Sequence, residues 1–173
     1  MSIYFRQILK VFAAVFILLT VGGLAFPQTD KIITAIAELS NPDKEIRLRA
    51  VYSLAIAKDD ARSLEPLITA LTDPDDFIRE RASDILGWRK ESRAVGALIP
   101  MLKDRNESVR YATAGALGNI GDPIAVQPLI EYLNDYPRVF ADTCNYAATQ
   151  ALAKMRDERA VMSLFSHGCG SSI

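Results

Sequence analysis

Laid against itself at an offset of just over thirty residues, the chain repeats. A period in that range restricts a sequence to stacked supersecondary units more sharply than any single motif does. NPDKEIRLRAVYSLAIAKDDARSLEPLITAL, from Asn41, aligns with DPDDFIRERASDILGWRKESRAVGALIPML, from Asp73, and with DRNESVRYATAGALGNIGDPIAVQPLIEYL, from Asp104. Ile46, Ile78 and Val109 share one column, and Arg47, Arg79 and Arg110 fill the next. Leu54, Leu86 and Leu117 form a third, and Leu67, Leu98 and Leu129 a fourth in the second half of each unit. A degenerate copy follows with Cys144, Ala151, Leu152, Ala153 and Met155, after a few residues inserted around Tyr136 and Pro137. KIITAIAEL, residues 31–39, matches only a second half and reads as a leading half-repeat or cap.

Each unit reads as two helices. Asn41-Pro42 and Asp73-Pro74 place a capping side chain before a proline at the first helical position, and Asp104 with Glu107 does so without proline. Val109, Ala112, Ala116, Leu117 and Ile120 recur at helical spacing, with Gly118 and Gly121 allowing tight packing and a turn. The second helix, residues 126–133, turns Val126, Leu129, Ile130 and Leu133 inward. One hairpin cannot cover its own apolar face, whereas a stack of them can. The expected fold is therefore all-α: an α-solenoid of about four helical-hairpin repeats, with nine short helices and no strand between Lys31 and Phe165.

These residues resemble HEAT repeats, specifically the short HEAT-like type named after phycobilisome lyases. The resemblance runs from Lys31 to about Phe165 and rests on VRYATAGALG, residues 109–118, with an acid or amide six residues before each arginine: Asn41 to Arg47, Asp73 to Arg79, Asp104 to Arg110. The pattern breaks at Asn145, where arginine is expected, and at Arg89, where a buried aliphatic residue usually sits; Trp88 is expected to fill the space there. Such repeats specify a fold and say little about activity. The resemblance also brings in enzymes, namely bilin lyases and the diiron hydroxylases of deoxyhypusine, but the latter need His-Glu pairs that this chain lacks. HEAT-like DNA glycosylases would need a basic concave surface, where the second helices here offer Glu65, Gln127 and Glu131.

Before the repeats, residues 11–26 carry no charge and follow a segment with Arg6 and Lys10 and no acid. That is the layout of an export signal, with Gly23 and Ala25 suited to cleavage after Ala25, or of an uncleaved anchor with the repeats outside. The domain reading is residues 1–26 as signal peptide or membrane anchor, 27–166 as repeats and 167–173 as a flexible tail. Twenty basic against 21 acidic residues create no field that would recruit nucleic acid. Cys144 reads as a small helical residue, and His167 with Cys169 lacks the second ligand pair a metal site needs.

No catalytic motif is present, so the sequence leads to a non-catalytic scaffold without cofactor or metal, exported or membrane-tethered. Its expected partner is a protein or peptide, with a bilin lyase or chaperone-like factor as the alternative. The repeated arginines and acids, Arg47, Asp73, Arg79, Asp104 and Arg110, read as a structural ladder rather than an anion site. The partner is expected on the second helices, at Glu65, Thr69, Pro100, Met101, Gln127, Glu131 and Tyr132. The turns at residues 58–60 and 88–93 read as solvated loops.

Overall fold

Two side-chain caps in tandem begin each of the three full repeats. Asn41, Asp73 and Asp104 accept the backbone N–H two residues on, from Asp43, Asp75 and Asn106, at 2.9, 2.9 and 2.8 Å. Asp43, Asp75 and Asn106 then cap the helix proper, accepting from Glu45, Phe77 and Ser108 at 2.9, 3.0 and 2.8 Å. The helices therefore start later than the proline signal suggested, with the caps at Asp43 and Asp75 rather than Asn41 and Asp73. Pro42 and Pro74 stay in the loop, where their carbonyls accept from arginine side chains.

In this computed structural model, residues 30–135 and 143–166 are described. The chain divides into two compact units, Met1–Lys31 and Ile32–Ile173, and the repeats make up the second. The readings of the export segment, the insertion at Tyr136 and Pro137, His167 and Cys169 lie outside the described residues. The elements are α1 (Lys31–Glu38), α2 (Lys44–Ile56), α3 (Leu64–Thr69), α4 (Asp76–Trp88), α5 (Val95–Met101), α6 (Glu107–Ile120), α7 (Val126–Asp135), α8 (Thr143–Met155) and α9 (Glu158–Ser166). Short 3-10 turns lead into α3, α5 and α7, and a fourth closes α3. No strand occurs among the described residues, and the architecture is an all-α solenoid.

The long first helices stack in order, α2 on α4, α4 on α6 and α6 on α8, with the short second helices layered beside them. Leu54, Leu86, Leu117 and Leu152 are each fully buried, as are Leu67, Leu98 and Leu129, so these columns form one continuous core. Burying one such side chain contributes about 1.5–3 kcal/mol. Close approach is possible because Gly87 and Gly118 carry no Cβ: one built on Gly118 would lie 2.5 Å from Ala151 Cβ, and one on Gly87 would collide with Ala116. Gly121 ends α6 in the left-handed conformation, φ 75°, with its N–H bonded to Leu117 O.

Arg89 and Trp88 do the opposite of what the pattern implied. Trp88 is 69% exposed and fills nothing. The Arg89 side chain is buried, and donates to Ser63 Oγ at 3.0 Å and to Lys58 O at 3.1 Å while pairing with Glu91 at 3.0 Å. Loop carbonyls and a carboxylate thus satisfy a cation where an aliphatic side chain was expected. Asp60 caps the 3-10 turn that follows it, through Arg62 N–H at 2.9 Å, so neither turn is merely a solvated loop.

Candidate functional site

An arginine ladder ties the entry loop of each repeat to the next. Arg47 donates through Nε and Nη2 to Asp73 at 2.8 and 3.0 Å, and through Nη1 to the carbonyls of Asn41 and Pro42. Arg79 repeats the arrangement, to Asp104 at 2.8 and 2.9 Å and to the carbonyls of Asp73 and Pro74. Arg110 donates to Asp104 O at 2.8 Å. Arg47 and Arg79 therefore each close their own repeat's entry loop and take their carboxylate from the repeat after it. Both ion pairs are buried. The hydrogen bond to Asp73 raises the Arg47 guanidinium above its ordinary value, and that to Asp104 does the same for Arg79. Burial works to raise the Asp104 carboxyl, but the bonds from Arg79 and from Asn106 N–H outweigh it, leaving that carboxyl below the usual range. The Nε and Nη2 edge of these two guanidiniums is taken by a carboxylate and Nη1 by loop carbonyls, so Arg47 and Arg79 serve the stack itself.

Two grooves open beside it. One, of about 450 Å³, lies between the loop after α1 and the end of α3, and is lined by Leu39, Pro42, Thr69, Thr72 and Pro74 with Arg47 and Asp73 in its wall. The other, of about 240 Å³, lies between α5 and α7, lined by Ile99, Pro100, Leu102, Lys103, Pro128, Glu131, Tyr132 and Asp135. Equivalent columns of consecutive repeats line both: Thr69, Pro100 and Glu131 occupy one register.

Of the residues singled out from sequence, Glu65, Pro100, Gln127 and Glu131 lie on the outer surface of the second helices, and Thr69 is likewise exposed, at the end of α3. Thr69 Oγ1 donates to Glu65 O at 3.0 Å, and Gln127 Nε2 to Glu131 Oε1 at 3.2 Å. Two placements need correction. Tyr132 is 2% exposed and belongs to the core, so only its edge reaches the groove; Met101 is half-buried and packs against the same core. The α7 face that turns inward runs through Val126, Leu129, Tyr132 and Leu133, so Tyr132 takes an inward place that sequence spacing had assigned to Ile130. Sequence reasoning missed Pro128, Lys103 and Asp135. Asp135 stands one helical turn after Glu131, a spacing that puts both carboxylates on one face.

Comparison with known proteins gives the class. The family model for HEAT repeats matches residues 29–99 and 78–153, and the chain belongs to that family. Among curated proteins it is similar to deoxyhypusine hydroxylase: 28% identical over 68% of this chain and 40% of the Danio rerio protein, and 30% over 69% and 40% for that of Drosophila melanogaster. The chain thus spans well under half the length of those relatives. Among solved structures it resembles the CpcE–CpcF complex of phycocyanin lyase from Nostoc sp. PCC7120, with TM-score 0.61 and 22% identity over 76% of this chain and 61% of that one. It also resembles human deoxyhypusine hydroxylase, with TM-score 0.57 and 23% identity over 80% and 46%. At those identities the structural likeness establishes the fold.

The curated relatives overturn two readings from sequence. A non-catalytic scaffold does not stand, nor does the reading that the chain is no enzyme, because the proteins matched are named as enzymes. Repeat motifs report stacking surfaces and leave activity open, so the lack of a catalytic motif in a repeat array does not decide whether it serves an enzyme. The diiron centre implied by resemblance to such hydroxylases finds no fit in these residues. Among the described residues no three His, Cys, Asp or Glu side chains gather as a metal site, and the chain's one histidine is His167.

Proposed function

We propose that the chain is one component of an enzyme that modifies a side chain of another protein, and that its part is to hold the segment being modified in the groove between α5 and α7. The observation that carries this reading is the partial match to deoxyhypusine hydroxylase, covering 68% of this chain and 40% of the relative. The framework is present without a metal-holding group among the described residues. Phycocyanin lyase, whose structure resembles this fold, is a complex of two chains, CpcE and CpcF. By analogy the reacting groups would come from outside the described residues.

The groove suits an extended segment. Ile99 and Leu102 give it an apolar floor, and Pro100 and Pro128 add rigid walls without N–H donors to satisfy. Glu131 and Asp135 against a single Lys103 leave its rim net acidic, which favours a basic segment. The proposed location, with the repeats outside the cytoplasm, rests on residues 1–26 alone.

Comparative mass spectrometry of the native proteome with and without this gene tests the reading. One protein is expected to lose a covalent side-chain modification in the deletion strain and to regain it on complementation. Identical modification patterns in the two strains would overturn the proposal.

A further inference from the structure

The turns that join first to second helices follow one another along one edge of the stack, because α2 packs on α4 and α4 on α6. That edge puts large apolar side chains into water. Ile56 and Trp88, the last residues of α2 and α4, are 85% and 69% exposed, and Ile124, in the turn before α7, is 66% exposed. Basic side chains stand among them. Asp60, Glu91 and Asp157 are engaged by Arg62, Arg89 and Arg159, and Asp122 by Ile124 N–H. Lys58, Lys90, Arg93 and Arg156 are exposed on the same edge, against Asp59 and Glu158. One column here is occupied against backbone preference. Lys90 and Arg156 have φ of 55° and 52°, the left-handed region that Gly121 fills at 75° in the equivalent place after α6. The turn asks only for that conformation, which glycine adopts without strain, so the fold does not account for the two cations.

We propose that this edge docks on an anionic lipid surface, with Ile56, Trp88 and Ile124 entering the headgroup region and Lys58, Lys90, Arg93 and Arg156 set against the lipid phosphates. Tryptophan among basic residues suits a membrane–water boundary, since its ring is apolar and carries one polar N–H. Aliphatic side chains such as Ile56 and Ile124 gain nothing from the phosphate backbone of a nucleic acid, whereas a bilayer buries them. The path of the chain agrees. Ile32, near the start of α1, holds the register of Leu64, Val95 and Val126, which open the second helices beside these turns. Residues 27–30 alone separate the uncharged run of residues 11–26 from α1, so chain length keeps this edge within reach of a bilayer that holds that run. The inference does not depend on the modifying role.

Trp88 is the chain's one tryptophan and reports on this edge directly. The test is its fluorescence in the full chain, reconstituted with phosphatidylcholine vesicles that contain or lack phosphatidylglycerol. On the anionic vesicles the emission is expected to shift to the blue and to be quenched by lipids brominated in their acyl chains. Both effects are expected to fade in about 1 M salt, where the screening length falls to about 3 Å. Each basic side chain at an anionic surface favours contact about fivefold, so Lys58→Gln with Lys90→Gly is expected to lower the contact equilibrium about 25-fold. Glycine suits φ 55°, so that variant is expected to keep its helical circular dichroism. A Trp88 that stays in water on anionic vesicles, or is quenched equally on neutral ones and in high salt, would overturn the proposal, as would a double variant quenched like the wild type. A shift produced by a DNA or RNA duplex and not by vesicles would assign the edge to nucleic acid and overturn it equally.

Discussion

Arg79 shows at the level of one residue how the ladder works. Its guanidinium joins the loop carbonyls of Asp73 and Pro74 to the carboxylate of Asp104, and neither partner side chain sees much solvent. Arg79→Ala leaves a buried carboxylate unpaired, which is expected to cost about 3 kcal/mol in urea unfolding. Asp104 also makes stability depend on pH. Its folded-state pKa lies below the ordinary carboxylate value of about 3.9, so its stabilisation is complete above that value and lost as pH falls through the lower folded one. Asp104→Asn is expected to flatten the acid limb of melting temperature against pH; an unchanged limb would show that other carboxylates carry it. The repeated Arg and Asp columns were legible in sequence. That Arg47 and Arg79 reach forward to the next repeat was not, since spacing alone makes the acid or amide six residues before each look like the partner.

At the level of the helix, packing depends on what is missing as much as on what is present. Gly118→Ala places a methyl 2.6 Å from Ala151 Cα, and the α6–α8 contact must open to admit it. Overpacking of this kind costs about 1–3 kcal/mol, read as a lower melting temperature. By contrast Gly96→Ala, on an exposed position of α5 with nothing near its Cβ, is expected to be neutral or slightly stabilising. Asp75→Ala removes the α4 cap and should cost about 1 kcal/mol in the same measurement. Sequence signalled the helices and misplaced their starts, because Asp-Pro-Asp offers two caps and local propensity does not say which one the chain uses.

For the whole molecule, substrate recognition and location are the expected consequences. Exchanging both rim carboxylates, Glu131→Gln with Asp135→Asn, is expected to raise the apparent KM for the modified protein and weaken its salt dependence, leaving kcat little changed, because the change falls on a rim charge that steers association. Equal loss in kcat would place these carboxylates at the reacting atoms. An alkaline phosphatase fusion after Phe165 should be active if the repeats lie outside the cytoplasm, and N-terminal sequencing then distinguishes cleavage after Ala25 from anchorage.

Sequence by itself determined the repeat, its two-helix unit and its leucine columns, because each is a periodic demand for burial that recurs along the chain. The candidate surface was half legible. Glu65, Pro100, Gln127 and Glu131 keep the outward register their spacing implied, while Tyr132 turned into the core. Only the tertiary structure decided that Arg89 is buried on the Ser63 hydroxyl and a loop carbonyl, that Trp88 is left outside, and that α5 and α7 leave a groove between them. Those outcomes depend on which surfaces of neighbouring repeats meet, and that is a property of the stack rather than of any one repeat's sequence.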